Sequence, residues 1–132
     1  MNLDLLVVFR NYIETLGLYA KSYIGNLEYD ESISIQALPG GVKTLFYDGT
    51  RDQTYNVQVA AKSKNQLNCL NSLDTILGSL TTVTDLPSTN GSYQFVDVNI
   101  ESPPTFVGQD EQGYFIYQLS CTVRMLIKKG AI

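Results

Sequence analysis

The 132-residue sequence contains no histidine. This absence removes the most common general base and metal ligand, and with it every Ser-His or Cys-His nucleophile pair. The two cysteines are too few for a zinc site. Cys69 and Cys121 each fall in an apolar pattern, so we expect two buried, reduced thiols, with a disulfide as the less favoured alternative. No catalytic residue, metal site or cofactor is therefore predicted, and an enzyme is disfavoured.

Charged side chains are also scarce. They make up 17% of the residues, against about 25% in a typical protein. The net charge of −4 argues against a dedicated nucleic-acid binder, which carries a basic patch. A surface poor in charge and rich in Ser, Thr, Asn and Gln is as typical of a protein interface as of a neutral solvated surface. Neither a secretory signal nor a run long enough to span a membrane is predicted.

Two segments resemble ligand-binding loops and fail on detail. Asp48 begins a stretch that looks like a calcium loop, but the sixth position is Gln53 instead of glycine and the twelfth is Val59 instead of glutamate. The glycines of Gly108–Gly113 are not followed by the Lys-Ser/Thr pair of a phosphate-binding loop. The sequence therefore predicts no ion or phosphate site.

Hydrophobic periodicity predicts two amphipathic helices. The first covers Leu3 to Leu16, with Asn2 as its N-cap and Gly17 as its stop. The second covers Lys64 to Leu80 and opens with a capping box. In that box the hydroxyl of Ser63 would accept the amide proton of Gln66, and the Gln66 side chain would reach back.

Alternation of apolar and polar residues predicts five strands. Turn chemistry separates them at Pro39–Gly41, Asp48–Thr50 and Asp110–Gly113. Pro103-Pro104 is expected to end the fourth strand, on which Val96, Val98 and Ile100 would share one face. The predicted strands cover residues 33–38, 42–47, 54–61, 93–100 and 114–128.

The predicted element order is α-β-β-β-α-β-β, in a single domain over residues 1–132. Strands that are grouped, and do not alternate with helices, indicate the α+β class. One apolar and one polar face on the longest strand are typical of an antiparallel sheet covered on one side. We therefore expect a mainly antiparallel sheet with both helices packed on one face.

The second half of the chain carries a family pattern. Gln58–Lys64 ends a strand and leads directly into a leucine-rich helix. Later come Ser102–Gly113, with the sequence SPPTFVGQDEQG, and the aromatic strand Tyr114–Leu119. The chain resembles the minor capsid proteins of siphophages and their prophages, a family similar to tail terminator, or tail completion, proteins.

The resemblance implies a function by assembly. Such proteins form a ring, typically a hexamer, at the head-proximal end of the tail of the virion, after assembly in the bacterial cytoplasm. The ring would stop polymerisation of the tail tube and provide the surface that joins the head. Its implied partners are further copies of itself, the tail tube protein and a head-completion or connector protein. DNA would pass through without specific binding, and no membrane is involved.

Three alternatives remain open at this stage. The free subunit could be a monomer that forms the ring only on the tail. The protein could be a head-tail connector or neck adaptor, which the sequence barely separates from a terminator. A small-molecule binding domain could use the open sheet face, although no convergent polar site is evident.

Contacts between subunits are predicted in three loops, at Pro39–Gly41, Asp48–Gln53 and Pro103–Gly113. Phe106 is an aromatic residue in an otherwise polar loop, which is typical of an interface anchor. Its alternative role is a plug that folds back onto its own domain. Arg51 and Asp52 could pair across a subunit boundary or form a solvated turn. The predicted interface residues are Asp48, Arg51, Asp52, Phe106, Asp110 and Glu111.

Overall fold

The computed structural model describes residues 4–25, 31–38, 43–46, 49–83, 85–88, 91 and 93–127. This part of the chain folds as one sheet with two helices on one face, which confirms the predicted α+β class. A short first strand adds to the predicted elements. The helices are α1 (Leu5–Glu14) and α2 (Gln66–Thr82), and the strands are β1 (Ser22–Ile24), β2 (Ser32–Leu38), β3 (Lys43–Leu45), β4 (Arg51–Ser63), β5 (Gln94–Gln109) and β6 (Phe115–Ile127).

The sheet has the strand order β1-β2-β4-β6-β5, and β3 pairs with the beginning of β4. Among the described strand pairs, only β1 and β2 are parallel, and the others are antiparallel. β4 and β6 lie at the centre and pair without a break from Arg51↔Ile127 to Ser63↔Phe115. This long uninterrupted register places every second residue of both strands on the helix side.

The core lies between the sheet and the two helices. α1 rests on β1 and β2, and α2 rests on β4, β5 and β6. Each helix turns an apolar stripe inward, as the 3.6-residue period predicts. Burial of each large apolar side chain contributes about 1.5–3 kcal/mol. The buried helix residues are Leu5, Val8, Phe9 and Ile13 from α1 and Cys69, Leu73, Ile76 and Leu80 from α2.

The predicted capping box at α2 is wrong. Ser63 is the last residue of β4 and is buried there, and its hydroxyl donates to Glu31 at 2.9 Å. The N-cap is Asn65, whose Oδ1 accepts the amide proton of Leu67 at 3.0 Å. The strand thus continues up to the helix and holds the serine in the sheet. α2 consequently begins two residues after the predicted start and runs to Thr82.

The first helix is also shorter than predicted. α1 begins at Leu5, and the predicted N-cap Asn2 lies outside the described residues. The helix ends at Glu14, and Gly17 adopts a left-handed φ of +67° just beyond it. A glycine takes this conformation without steric cost, so the chain can turn there toward β1.

Pro103-Pro104 does not end a strand. β5 continues through both prolines to Gln109, and it lies at the edge of the sheet. A proline lacks the backbone N–H that an inner strand needs, but the free side of an edge strand needs none. The prediction of a loop over Pro103–Gly113 is therefore wrong for most of this segment, because only the residues after Gln109 form a turn.

Because β5 pairs irregularly with β6, the residues of β5 that face the core are not all those predicted. Four register shifts let β5 use more residues than β6 over the same length. Val96 lies at the first of them and is 39% exposed, so the prediction that it shares a face with Val98 and Ile100 is wrong. Phe95 packs against the core in its place. A bulge turns the following residues to the opposite face, which alternation cannot show.

The region around the second predicted turn is more regular than expected. β4 begins at Arg51, three residues before the predicted start, and pairs with β3 through Leu45↔Arg51 and Lys43↔Gln53. The prediction that Arg51, Asp52 and Gln53 lie in a loop is therefore wrong. Pro39–Gly41 and Asp48 lie outside the described residues.

Both cysteines are free and fully buried, as expected. Burial raises the pKa of Cys69 to about 11 and that of Cys121 to about 12, because the thiolate would lose its hydration. We expect neither thiol to react with a disulfide reagent at pH 8 in the folded protein, and both to react after unfolding in guanidinium. Rapid labelling of the native protein would contradict this packing. The same shifts predict that stability declines as the pH rises above about 9, where unfolded thiols ionise.

Candidate assembly interface

The predicted interface residues separate into two groups at opposite ends of β4. Asp52 and Lys62 are ten residues apart on this strand. A strand rises about 3.3 Å per residue, so the two ends are about 33 Å apart. We name the two regions the β3 end, with Arg51 and Asp52, and the α2 end, with Phe106, Asp110 and Glu111.

At the β3 end, Asp52 forms an ion pair within its own chain. Arg124 of β6 donates from Nε to Oδ1 at 3.0 Å and from Nη2 to Oδ2 at 2.6 Å. These hydrogen bonds lower the pKa of Asp52 below its ordinary value. Asp52 therefore already has a bidentate partner without a second subunit. Arg51 has no ion-pair partner among the residues that the structure describes.

At the α2 end, Asp110 organises the turn between β5 and β6. Its Oδ1 accepts the amide protons of Tyr114 at 2.9 Å and Gln112 at 3.0 Å, and Lys62 lies 3.4 Å from Oδ2. These contacts lower the pKa of Asp110, with the Tyr114 amide as the largest cause. The ammonium groups of Lys62 and Lys64 also lie 4.8 and 5.2 Å from the ring centre of Tyr114. Asp110 thus has a local structural role.

Phe106 lies on β5 and contacts its own domain only in part. Its ring packs on Tyr117 with 5.3 Å between centroids and a tilt of 58°, which is an ordinary geometry for an aromatic pair. Tyr117 is held in turn by a 3.0 Å hydrogen bond from its hydroxyl to Gln66 Oε1. Phe106 remains 53% exposed, and Val107 beside it is also exposed. Two adjacent residues of β5 at the α2 end therefore expose apolar side chains.

Sequence reasoning missed the partners of these residues. Arg124, Lys62 and Tyr117 all lie on β4 or β6, and each meets its partner only through the register between strands. The 17-residue helix α2 separates β4 from the β5–β6 pair in the chain. Strand alternation assigns such residues to a face but gives no register across a helix.

Among the described residues, the open sheet face offers no evident small-molecule site. Its polar side chains bond to one another: Gln58 pairs with Gln118, and the Thr122 hydroxyl lies 3.2 Å from Asn56 Oδ1 and 2.9 Å from Glu101 Oε1. In the described part of the chain, no group of three or more His, Cys, Asp or Glu side chains could hold a metal ion. Neither described helix has the length and apolar character needed to cross a membrane.

The domain exposes apolar residues on its edge strand β5, and the polar side chains of its open face bond to one another. Such a surface is suited to contacts between proteins. The family model described as bacteriophage tail terminator protein matches residues 12–127. This chain belongs to that family, which confirms the resemblance drawn from the sequence, and it is therefore a structural component of a phage tail. A search of curated proteins finds no sequence that matches it.

Proposed function

We propose that copies of this protein close into a ring on the head-proximal end of the tail tube, stop its polymerisation and provide the surface that receives the head. A compact domain of this length has a radius of gyration of about 14 Å. One such body is too small to cap a hollow tube, and head-to-tail contacts that close produce a ring. Membership of the tail terminator family is the observation that carries the proposal.

The two ends of the sheet support a role between two partners. A terminator needs one face for the tube and a different face for the head-completion or connector protein. The α2 end carries the Lys62–Asp110 pair and the exposed Glu111, whereas the β3 end carries the Arg124–Asp52 pair and Arg51. Because these ends are about 33 Å apart, each can contact its own partner.

DNA is proposed to pass through the ring without being held. Binding to the phosphate backbone requires free lysines or arginines. On the open sheet face, the cations Arg124 and Lys62 are each paired with a carboxylate. The same face also presents Asp97 and Glu101, which repel the duplex.

Electron microscopy of tails assembled with and without the protein tests this function. We expect tails of irregular and excessive length that fail to join heads when the protein is absent, and normal tails when purified protein is added back. Tails of normal length that accept heads without the protein would overturn the proposal. Mixing the protein with purified tubes or with filled heads separates the alternatives, because a neck adaptor would bind only the heads.

A further inference from the structure

The sheet has two unlike edges on opposite sides of the domain. We name them the β5 edge, formed by β5 and the turn at Glu111, and the β1 edge, formed by β1 with Lys21 and Arg10. We propose that the β5 edge of one copy packs against the β1 edge of the next copy in the ring, through side chains and not through backbone pairing. This inference rests on the proposed ring, and it specifies which surfaces join the subunits.

Exposed apolar residues concentrate on these two edges. Of the seven large hydrophobic side chains that are exposed in the described part of the chain, four belong to the edge strands. Exposed apolar groups on a small domain are candidates for burial by a partner when they cluster. The four residues are Val96, Phe106 and Val107 on β5 and Ile24 on β1.

The pairing register places Phe106 and Val107 of the β5 edge close to the height of β1. Paired residues on successive strands show which positions lie level across the sheet. Phe106 on β5 is level with Ser22 on β1, and Ile24 on β1 is level with the bulge at Pro103-Pro104 on β5. Two copies set side by side without an axial shift therefore bring Val107 close to the level of Lys21. The path from Phe106 runs through Tyr117, Ala61 and Ile33.

Charge is complementary between the two edges. The stretch from Tyr93 to Val123, which forms β5 and most of β6, contains four carboxylates and no lysine or arginine. On the β1 edge, Arg10 lies 3.9 Å from Glu14, and Lys21 is exposed with no ion-pair partner among the described residues. The exposed Glu111 on the β5 edge and the exposed Lys21 on the β1 edge carry opposite charges, which favours contact between unlike edges over contact between like edges.

The backbone of β5 opposes the extension of the sheet into a neighbour. Four register shifts and two prolines interrupt the regular spacing of hydrogen-bonding groups along its free side. Bulges and prolines on edge strands are known to prevent pairing between molecules. Side-chain packing can therefore set the angle between copies, which a ring of fixed size requires.

Engineered cysteines test the contact directly. The double variant Lys21→Cys/Val107→Cys places one thiol on each edge. Within one chain the edges are four strand spacings apart. That separation is about 19 Å, so the two thiols cannot form an intramolecular disulfide. The native thiols are buried and should not compete. On oxidised tails we expect a ladder of cross-linked species up to the copy number of the ring.

Matched variants make the result specific. Each single cysteine variant, and the pair Asp74→Cys/Val107→Cys with one thiol on the outer surface of α2, should give no ladder beyond dimers. Tails that carry the protein and have normal length, but yield no ladder from the Lys21/Val107 pair, would overturn the edge contact and leave the ring intact. Tails that never bind the wild-type protein would instead contradict the proposed function.

Discussion

Replacing Phe9 with alanine is expected to lower the free energy of unfolding by about 3–5 kcal/mol. The side chain is fully buried in the core beneath α1. Among the strands, this helix packs on β1 and β2, and its Tyr12 hydroxyl also contacts Ser79 of α2. A loss of this size is a large fraction of the roughly 5–15 kcal/mol that stabilises a typical domain. Guanidinium denaturation followed by circular dichroism measures the change.

Val7→Ala is the matched control for Phe9→Ala. Val7 lies on the same helix but is 46% exposed. We therefore expect its replacement to change the free energy of unfolding by no more than about 0.5 kcal/mol. If the two variants were equally stable, the docking of α1 on the sheet would be incorrect. An unchanged denaturant slope in both would show that the comparison concerns the same folded and unfolded states.

Replacing Phe106 with alanine is expected to weaken binding to tail ends by about 30-fold or more, which corresponds to the loss of about 2 kcal/mol at an interface hot spot. The ring is 53% exposed in the free subunit, and its only described aromatic partner is Tyr117. A neighbouring copy would bury the exposed part. Sedimentation of labelled protein with terminator-free tails measures binding, and tail length measures the functional consequence.

Asp74→Ala serves as the control for Phe106→Ala. Asp74 is exposed in the middle of α2, away from both edges and both ends of the sheet, so its replacement should leave tail binding unchanged. The midpoint of thermal unfolding should be nearly the same for both variants and the wild type. Strong destabilisation of the Phe106 variant with normal tail binding would support the alternative role of Phe106 as an intramolecular plug.

The fold class could be predicted because both kinds of element leave periodic signals in this sequence. The apolar stripe that contains Leu5 and Phe9, and the alternation from Leu119 to Met125, are local patterns with a single simple interpretation. Each is read from neighbouring residues alone. They were sufficient for the α+β class, for both helices and for every described strand except β1.

The features that were predicted wrongly depend on contacts with residues that are distant in sequence. A proline ends a strand only where a neighbouring strand requires a backbone N–H at that position. Pro103-Pro104 is tolerated because β5 lies at the edge, which is a property of the whole sheet. The side of the sheet on which Val96 lies depends on a β-bulge. The pairing of Asp52 with Arg124 depends on a register set across α2. The interface roles stay predictions, because each depends on contacts with a second chain; they concern Asp48, Arg51, Asp52, Phe106, Asp110 and Glu111.

The position of β6 has a consequence for biosynthesis. It is the last strand in chain order, yet it lies between β4 and β5 at the centre of the sheet. A nascent chain on the ribosome therefore leaves one side of β4 unpaired, and lacks the core side chains of β6, until translation has passed Ile127. Such partly folded chains are prone to aggregation and open to proteolysis. Prematurely terminated products should accordingly be degraded by the host before they can enter a tail.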